Sequence, residues 1–306
     1  MPQNPHLIGI LLALASMLTF AGVVLVISQA SRQLDADAGA LLATVVNVPM
    51  GLLLLGGQVL LQGPLPPPTA LGLAAFATAG FFGTYLGRWL FFQSVARMGP
   101  SRASGFQSAS PLFTALLGWL LLGETFGAWG LVGLLLGFTG LLAMGQRGSG
   151  NGPATAQERG ASRRILALGT GAAAAYAVSH ILRAAGMRSW PEALAGTTVG
   201  AAAGLLVLVL ASRRQLPATF ARIRAQPHGA RLFCVVGMLQ LVGQSFMVLS
   251  LHYIPASFSA LISMGSPLVV LPVSHYLLRT GEGLRPLTVA GILLTLAGVA
   301  LLAWGG

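Results

Sequence analysis

The chain has 306 residues, of which 55% are hydrophobic and 8% charged, and its mean hydropathy of +0.80 excludes an ordinary soluble globular domain. Its 17 basic residues are all arginine and outnumber the 6 acids, for a net charge of +11. In so apolar a chain this excess indicates arginine-rich loops and argues against nucleic-acid binding. Cys234 is the single cysteine, which excludes an internal disulfide and a thiolate metal cluster.

Long apolar runs predict an all-α membrane protein, because a helix needs about 20 apolar residues to cross a bilayer. The N-terminal run lacks the basic region of a signal peptide, and we expect it to be the first span. Alternating segments typical of a strand barrel are absent from the sequence. The apolar runs predict ten transmembrane helices, near residues 7–28, 39–61, 71–95, 101–122, 127–146, 165–187, 193–211, 231–251, 256–278 and 286–304.

A Gly/Ala/Ser-rich segment at residues 147–164 divides the ten spans into five and five, and its composition predicts a flexible linker. Shifting the sequence by 156 residues lays Ser110-Pro111-Leu112 on Ser266-Pro267-Leu268. We therefore predict a five-span repeat at 1–146 and a second at 165–306. Five is odd, so the second copy enters the membrane from the opposite side, which predicts inverted repeats around a central cavity.

Each half contains a Ser-Pro followed by an apolar helix and then a Gly-Glu pair. A proline removes an N–H, so Pro111 frees the carbonyl of Gln107 and Pro267 frees that of Ser263. Freed carbonyls at membrane depth favour cavity positions, although a kink that only shapes packing remains open. Four residues are predicted as structural joints between spans, where an acid complements a helix dipole: Gly123, Glu124, Gly281 and Glu282.

This Ser-Pro and Gly-Glu pattern, with the Gly-punctuated helix that follows it in each half, resembles the EamA-type ten-span transporters of the drug/metabolite transporter superfamily. The resemblance covers essentially the whole chain. It implies two inverted five-helix repeats around a central cavity that moves amino acids, metabolites or related small solutes. It does not identify the solute.

The arginines predict an orientation. The loops after the odd-numbered spans hold most of them, whereas the side with both termini has Arg188, with Arg183 near it. Since positive charge resists translocation, we expect a multi-pass protein of the plasma membrane, the inner membrane in a bacterium, with both termini outside.

The polar residues inside the spans are candidates for solute contact. No carboxylate lies at mid-membrane, which disfavours proton-coupled export of cations, whereas Arg88 lies within the third span. Its repeat equivalent is Gln244, and a guanidinium facing amides suits an anionic group. Alternatively, Arg88 reaches an interface or bonds helix-end carbonyls. The full set of predicted cavity residues is Tyr85, Arg88, Gln107, Ser110, Tyr176, His180, Gln240, Gln244, Ser263 and Ser266.

The sequence thus predicts a secondary transporter, an exporter of amino acids or organic anions, with no enzymatic activity. A carrier of neutral or aromatic compounds, with Arg88 purely structural, is the main alternative, and a channel is a more remote one. An intramembrane serine enzyme would need a His beside Ser104, and no such pairing is evident. We expect no cofactor, no metal and no nucleic-acid partner; the partners are the solute and the bilayer. The oligomeric state stays open, and a monomer fits the sequence.

Overall fold

The computed structural model describes residues 5–122, 127–145, 156–250, 253–254, 262, 265–277 and 286–305. Within these ranges the regular structure is helical, with no strand. The predicted joints at Gly123, Glu124, Gly281 and Glu282, and the predicted cavity residue Ser263, lie outside the described residues. The helices are α1 (Pro5–Ala30), α2 (Ala36–Gln62), α3 (Ala70–Met98), α4 (Pro100–Gln107), α5 (Ser110–Leu122), α6 (Ala128–Gly145), α7 (Ala156–Ser189), α8 (Ala193–Ser212), α9 (Leu216–Ala225), α10 (Pro227–Ser250), α11 (Pro267–Pro272, continued at Val273–Leu277) and α12 (Pro286–Gly305).

Six of these helices are long and apolar enough to cross a membrane: α1, α2, α3, α7, α8 and α10. Shorter apolar helices occur at Ala128–Ala143 and Pro286–Leu301, so the predicted count of ten spans stays a prediction. The chain is nonetheless that of a multi-pass membrane protein. Many leucines on these helices are exposed, and so large an apolar surface suits contact with lipid and not with water.

The predicted fourth span is divided between two helices, since α4 ends at Gln107 and α5 begins at Ser110. Pro111 cannot donate a hydrogen bond, and within the described part of the chain Gln107 O accepts no backbone bond across the break. Pro267 in turn occupies the first turn of α11, where a missing N–H costs nothing. A second difference concerns the predicted linker at 147–164, because helix α7 already begins at Ala156.

Glycines bring α6 and α12 into backbone contact. A Cβ added at Gly140 would meet Gly291 O at 2.5 Å, and one added at Gly298 would meet Gly133 O at 2.5 Å. As the chain advances along α6 from Gly133 to Gly140, its partner on α12 recedes from Gly298 to Gly291, so the two helices run antiparallel. Each contact maps onto the other when the two repeats are exchanged, which places a pseudo-twofold axis at this crossing.

The same exchange relates two further helix pairs that enclose the centre of the bundle. A Cβ at Gly243 of α10 would meet the ring of Phe20 on α1 at 3.3 Å, and one at Gly87 of α3 would meet the ring of Tyr176 on α7 at 3.4 Å. Gly87 and Gly243 are 156 residues apart, as are Phe20 and Tyr176. The pairs α1/α10 and α3/α7 are therefore pseudo-symmetric copies, in agreement with the duplicated sequence.

Contacts at the helix ends sort the loops by side. Arg222 of α9 forms an ion pair with Asp35 at 3.0 Å, which places the connection before α10 beside the connection between α1 and α2. At the other side, the Trp190 indole donates to Pro66 O at 3.2 Å, joining the α7–α8 and α2–α3 connections. Alternate connections thus lie on opposite sides, as the span order requires.

We expect Gly140→Leu to destabilise the protein, because a side chain there must displace the backbone of α12. The loss in unfolding free energy should reach about 1–3 kcal/mol or more, typical of overpacking. Thermal unfolding of the purified protein in detergent measures it. Gly56→Leu is the matched control, since a Cβ at Gly56 meets no atom within 4 Å; equal melting temperatures for the two variants would contradict the proposed crossing.

Candidate functional site

A cavity lies where the two repeats meet, between α1, α3, α7 and α10. The space between its lining atoms, counted together with the adjoining open solvent, is about 720 Å³. Among the described residues, its lining contains two arginines and a histidine but no carboxylate. The lining residues are Phe20, Val23, Val24, Gly83, Thr84, Arg88, Phe91, Gln107, Tyr176, Ser179, His180, Arg183, Gln240, Gln244, Met247 and Ser266.

The guanidinium of Arg88 is held by two side chains of α2. Its Nη1 donates to Thr44 Oγ1 at 2.9 Å. With the Asn47 amide oriented to satisfy its neighbours, Asn47 Oδ1 accepts from Nη1 at 3.0 Å and Nη2 at 2.8 Å, while its nitrogen donates to Gly237 O on α10 at 2.7 Å. All three side chains are buried. Arg88 therefore joins α2, α3 and α10 in one hydrogen-bonded unit at the cavity wall.

A π-helical segment of α3, Phe81–Gly87, leads directly into Arg88. Such segments are frequent at functional sites, because they shift the face that the following residues present. Gly83 within it lies against Ser179 and Arg183 of α7, and a Cβ there would come within 3.4 Å of Arg183 Nη2. A side chain at Gly83 would collide with Ser179, so the glycine allows α3 and α7 to pack closely beside the second guanidinium.

Arg183 differs from Arg88 in its partners. Within the described part of the chain, its guanidinium makes no hydrogen bond or ion pair, although it faces the cavity. Its charge acts on that of Arg88, and both charges act on the hydroxyl of Tyr176. Two positive charges in a site of low dielectric, with no acid among the lining residues, create a strongly positive potential.

The opposite wall, on α10, contributes two amides with unused hydrogen-bonding atoms. Gln240 Oε1 and Gln244 Nε2 are buried and have no hydrogen-bond partner among the described residues. They lie one turn apart on the same face and both line the cavity. Because a buried polar atom without a partner costs free energy, these two atoms favour a bound group that accepts from one and donates to the other.

The repeat offset of 156 residues relates most of the lining. The partners differ in polarity, because the first repeat supplies an apolar face on α1 where the second supplies a polar face on α7. The related pairs are Phe20 and Tyr176, Val23 and Ser179, Val24 and His180, Thr84 and Gln240, Arg88 and Gln244, and Phe91 and Met247. The cavity is symmetric in its backbone and asymmetric in its chemistry.

The structure brings seven of the ten residues predicted from the sequence to this cavity: Arg88, Gln107, Tyr176, His180, Gln240, Gln244 and Ser266. Tyr85 does not line it but packs against Phe81, with ring centroids 5.7 Å apart. Ser110 is fully buried outside the lining. Ser263 lies outside the described residues.

Several site residues were not predicted. Asn47 and Thr44 were overlooked because they lie on another span, yet Asn47 is the one asparagine in the second apolar run and was a detectable signal. Arg183 was not among the predicted cavity residues, and the structure places it in the cavity lining. Asp37, in the first turn of α2 and outside the cavity lining, was also not predicted to bond across helices; it accepts from Trp89 at 2.6 Å and Gln93 at 2.8 Å.

A helical bundle of two inverted repeats that encloses a polar cavity is the architecture of secondary transporters. The sequence model of the EamA-like transporter family matches residues 7–146 and matches again at 163–304. The chain belongs to this family. It is thus a two-repeat membrane transporter of the drug/metabolite transporter superfamily, as its sequence motifs had indicated.

Beyond the family match, the likeness of this chain to known proteins is structural. A solved structure described as "Crystal structure of protein" is similar over 96% of this chain and 95% of its own, with a TM-score of 0.59 and 16% sequence identity. At that identity the likeness extends to the fold alone. No curated protein matches the sequence.

We expect Asn47→Leu to lower the melting temperature clearly, because it leaves the Arg88 guanidinium without two of its three hydrogen bonds. Bonds to charged groups contribute about 1.5–3 kcal/mol each, so the loss should exceed that of Gln58→Leu. Gln58 is a suitable control, since its amide donates only to Glu192, at 3.2 Å, in a partly buried contact.

A double-mutant cycle with Arg88→Met separates the pair from general packing effects. In the Arg88→Met background, adding Asn47→Leu should cost much less than it costs alone. Additive losses would show that Asn47 does not hold Arg88.

Proposed function

We propose that this protein is a secondary transporter, an exporter of small anionic metabolites that works by alternating access across ten spans. The observation that carries the proposal is a cavity at the repeat interface with two arginines and no carboxylate among its lining residues. A buried guanidinium costs at least about 2.5 kcal/mol in a membrane, and an anion in the cavity offsets part of that cost. The family membership supports transport, and the positive cavity supports the sign of the solute.

The alternative, a carrier of neutral or aromatic compounds, is favoured by one specific observation. Arg88 is already bonded to Thr44 and Asn47, as a purely structural arginine would be. Removing Arg88 would therefore alter helix packing as well as the cavity. Arg183 is the better residue with which to distinguish the two hypotheses, because its guanidinium has no protein partner among the described residues.

Reconstituted liposomes test the proposal. Liposomes loaded with an unlabelled solute should accumulate the same labelled solute by counterflow, in a saturable manner, for at least one carboxylate in a panel of succinate, pyruvate, glutamate and 3-phenylpropanoate. The Arg183→Gln protein should lose at least about tenfold in rate, the loss expected when a charge-assisted bond is removed. Counterflow of neutral solutes only, with Arg183→Gln unimpaired, would favour the alternative; non-saturable flux would indicate a channel.

The proposed orientation, with both termini outside and the arginine-rich side in the cytoplasm, makes a separate prediction. Replacing Cys234, the single cysteine, by serine provides a background for labelling with a membrane-impermeant maleimide. On intact cells, Pro67→Cys should label, whereas Arg213→Cys should label only after permeabilisation. Both positions are exposed and lie in connections on opposite sides. The reverse pattern would overturn the orientation and leave the fold intact.

A further inference from the structure

We propose that two walls of the cavity bind different parts of an amphipathic organic monoanion. Arg183 of α7 binds its anionic group, and the apolar face of α1 binds its hydrocarbon body. This inference rests on the proposed anion transport and names the class of solute. It follows from the difference in polarity between equivalent positions of the two repeats.

The contrast between α1 and α7 is the first observation. Backbone packing around the two helices is equivalent, since Phe20 contacts Gly243 as Tyr176 contacts Gly87. Packing alone therefore does not explain why the α7 face is polar throughout. The contrast is greatest one turn further on, where Arg183 of α7 corresponds to Ile27 of α1, which is fully buried in the core. The α7 wall therefore attracts a charged group, whereas the α1 wall favours an apolar one.

The second observation concerns which arginine is available to a solute. Thr44 and Asn47 accept hydrogen bonds from three of the five N–H groups of Arg88. Arg183 has no such partners among the described residues, and it lines the cavity. Arg183 therefore offers all of its N–H groups to a carboxylate, whereas Arg88 retains two and adds its charge.

The third observation excludes two other classes of solute. No carboxylate occurs among the described residues that line the cavity, so an ammonium group meets two like charges there and no counter-ion from them. A small dianion such as succinate has no apolar body to contact Val23 and Val24, so it uses only the polar part of the lining. A single anionic group on an apolar body fits both walls.

Binding to the purified protein tests the inference by thermal stabilisation, because a ligand that binds the folded state raises the melting temperature. Four probes share a size range but differ in charge: 3-phenylpropanoate, 3-phenylpropanamide, phenethylammonium and succinate. We expect 3-phenylpropanoate to raise the melting temperature by ~2 °C or more at saturating concentration, and the other three to have much weaker effects.

Variants identify the two ends of the site. Arg183→Gln should weaken binding of 3-phenylpropanoate at least about tenfold, and Arg183→Lys should weaken it less. Val23→Ser gives α1 the residue found at the equivalent position of α7, Ser179, and should weaken binding of 3-phenylpropanoate while leaving that of succinate unchanged or stronger. Val45→Ser, at an exposed position of α2, is the matched control and should have no effect on binding.

Each result bears on the inference. Equal stabilisation by 3-phenylpropanamide would overturn the anion contact, and stronger stabilisation by succinate, or none by any probe, would overturn the amphipathic class. Counterflow of succinate or glutamate without a response to 3-phenylpropanoate would remove this inference and leave the carrier function. Stabilisation that depends on Arg183, without counterflow of any solute, would remove the carrier function and leave the site.

Discussion

A guanidinium buried at membrane depth must find its hydrogen bonds inside the protein, because the hydrocarbon around the bundle offers none. Arg88 satisfies this constraint by donating hydrogen bonds to Thr44 and Asn47, and the Asn47 amide nitrogen donates in turn to Gly237 O. Three helices from both repeats are thereby held in register around one charge. The cavity wall follows from this arrangement, since the residues that hold Arg88 also fix how α2, α3 and α10 lie relative to one another.

The second arginine of the cavity, Arg183, is not held by the protein in this way. Arg183 faces the cavity without a protein partner among the described residues, so its solvation depends on what enters the cavity. Duplication gives the two halves a common backbone, and substitution within it has produced an apolar wall and a polar wall. A symmetric frame is thus compatible with an asymmetric solute, because symmetry is required of the helix contacts and not of the residues that line the space between them.

The sequence predicted the class of fold well, since apolar runs, the offset of 156 residues and the paired glycines are all visible without coordinates. The internal symmetry also allowed Arg88 and Gln244 to be assigned to facing walls. It predicted less well which polar groups satisfy one another: hydrophobic periodicity does not reveal which helices are neighbours, so the Asn47–Arg88 and Asp37–Trp89 bonds were missed. Arg183 was not predicted as a cavity residue because its position along a span indicates its depth and not the direction of its side chain, which the packing of α7 against α3 decides.

The crossing of α6 and α12 has a mechanical consequence. Gly133 and Gly140 contact Gly298 and Gly291 on either side of the pseudo-twofold axis, and none of these residues is among those that line the cavity. A side chain at Gly140 or Gly298 would push the two backbones apart, so these glycines keep the repeats joined at close range. Because the crossing lies outside the cavity lining, the lining residues of the two repeats differ without disturbing the contact that joins them.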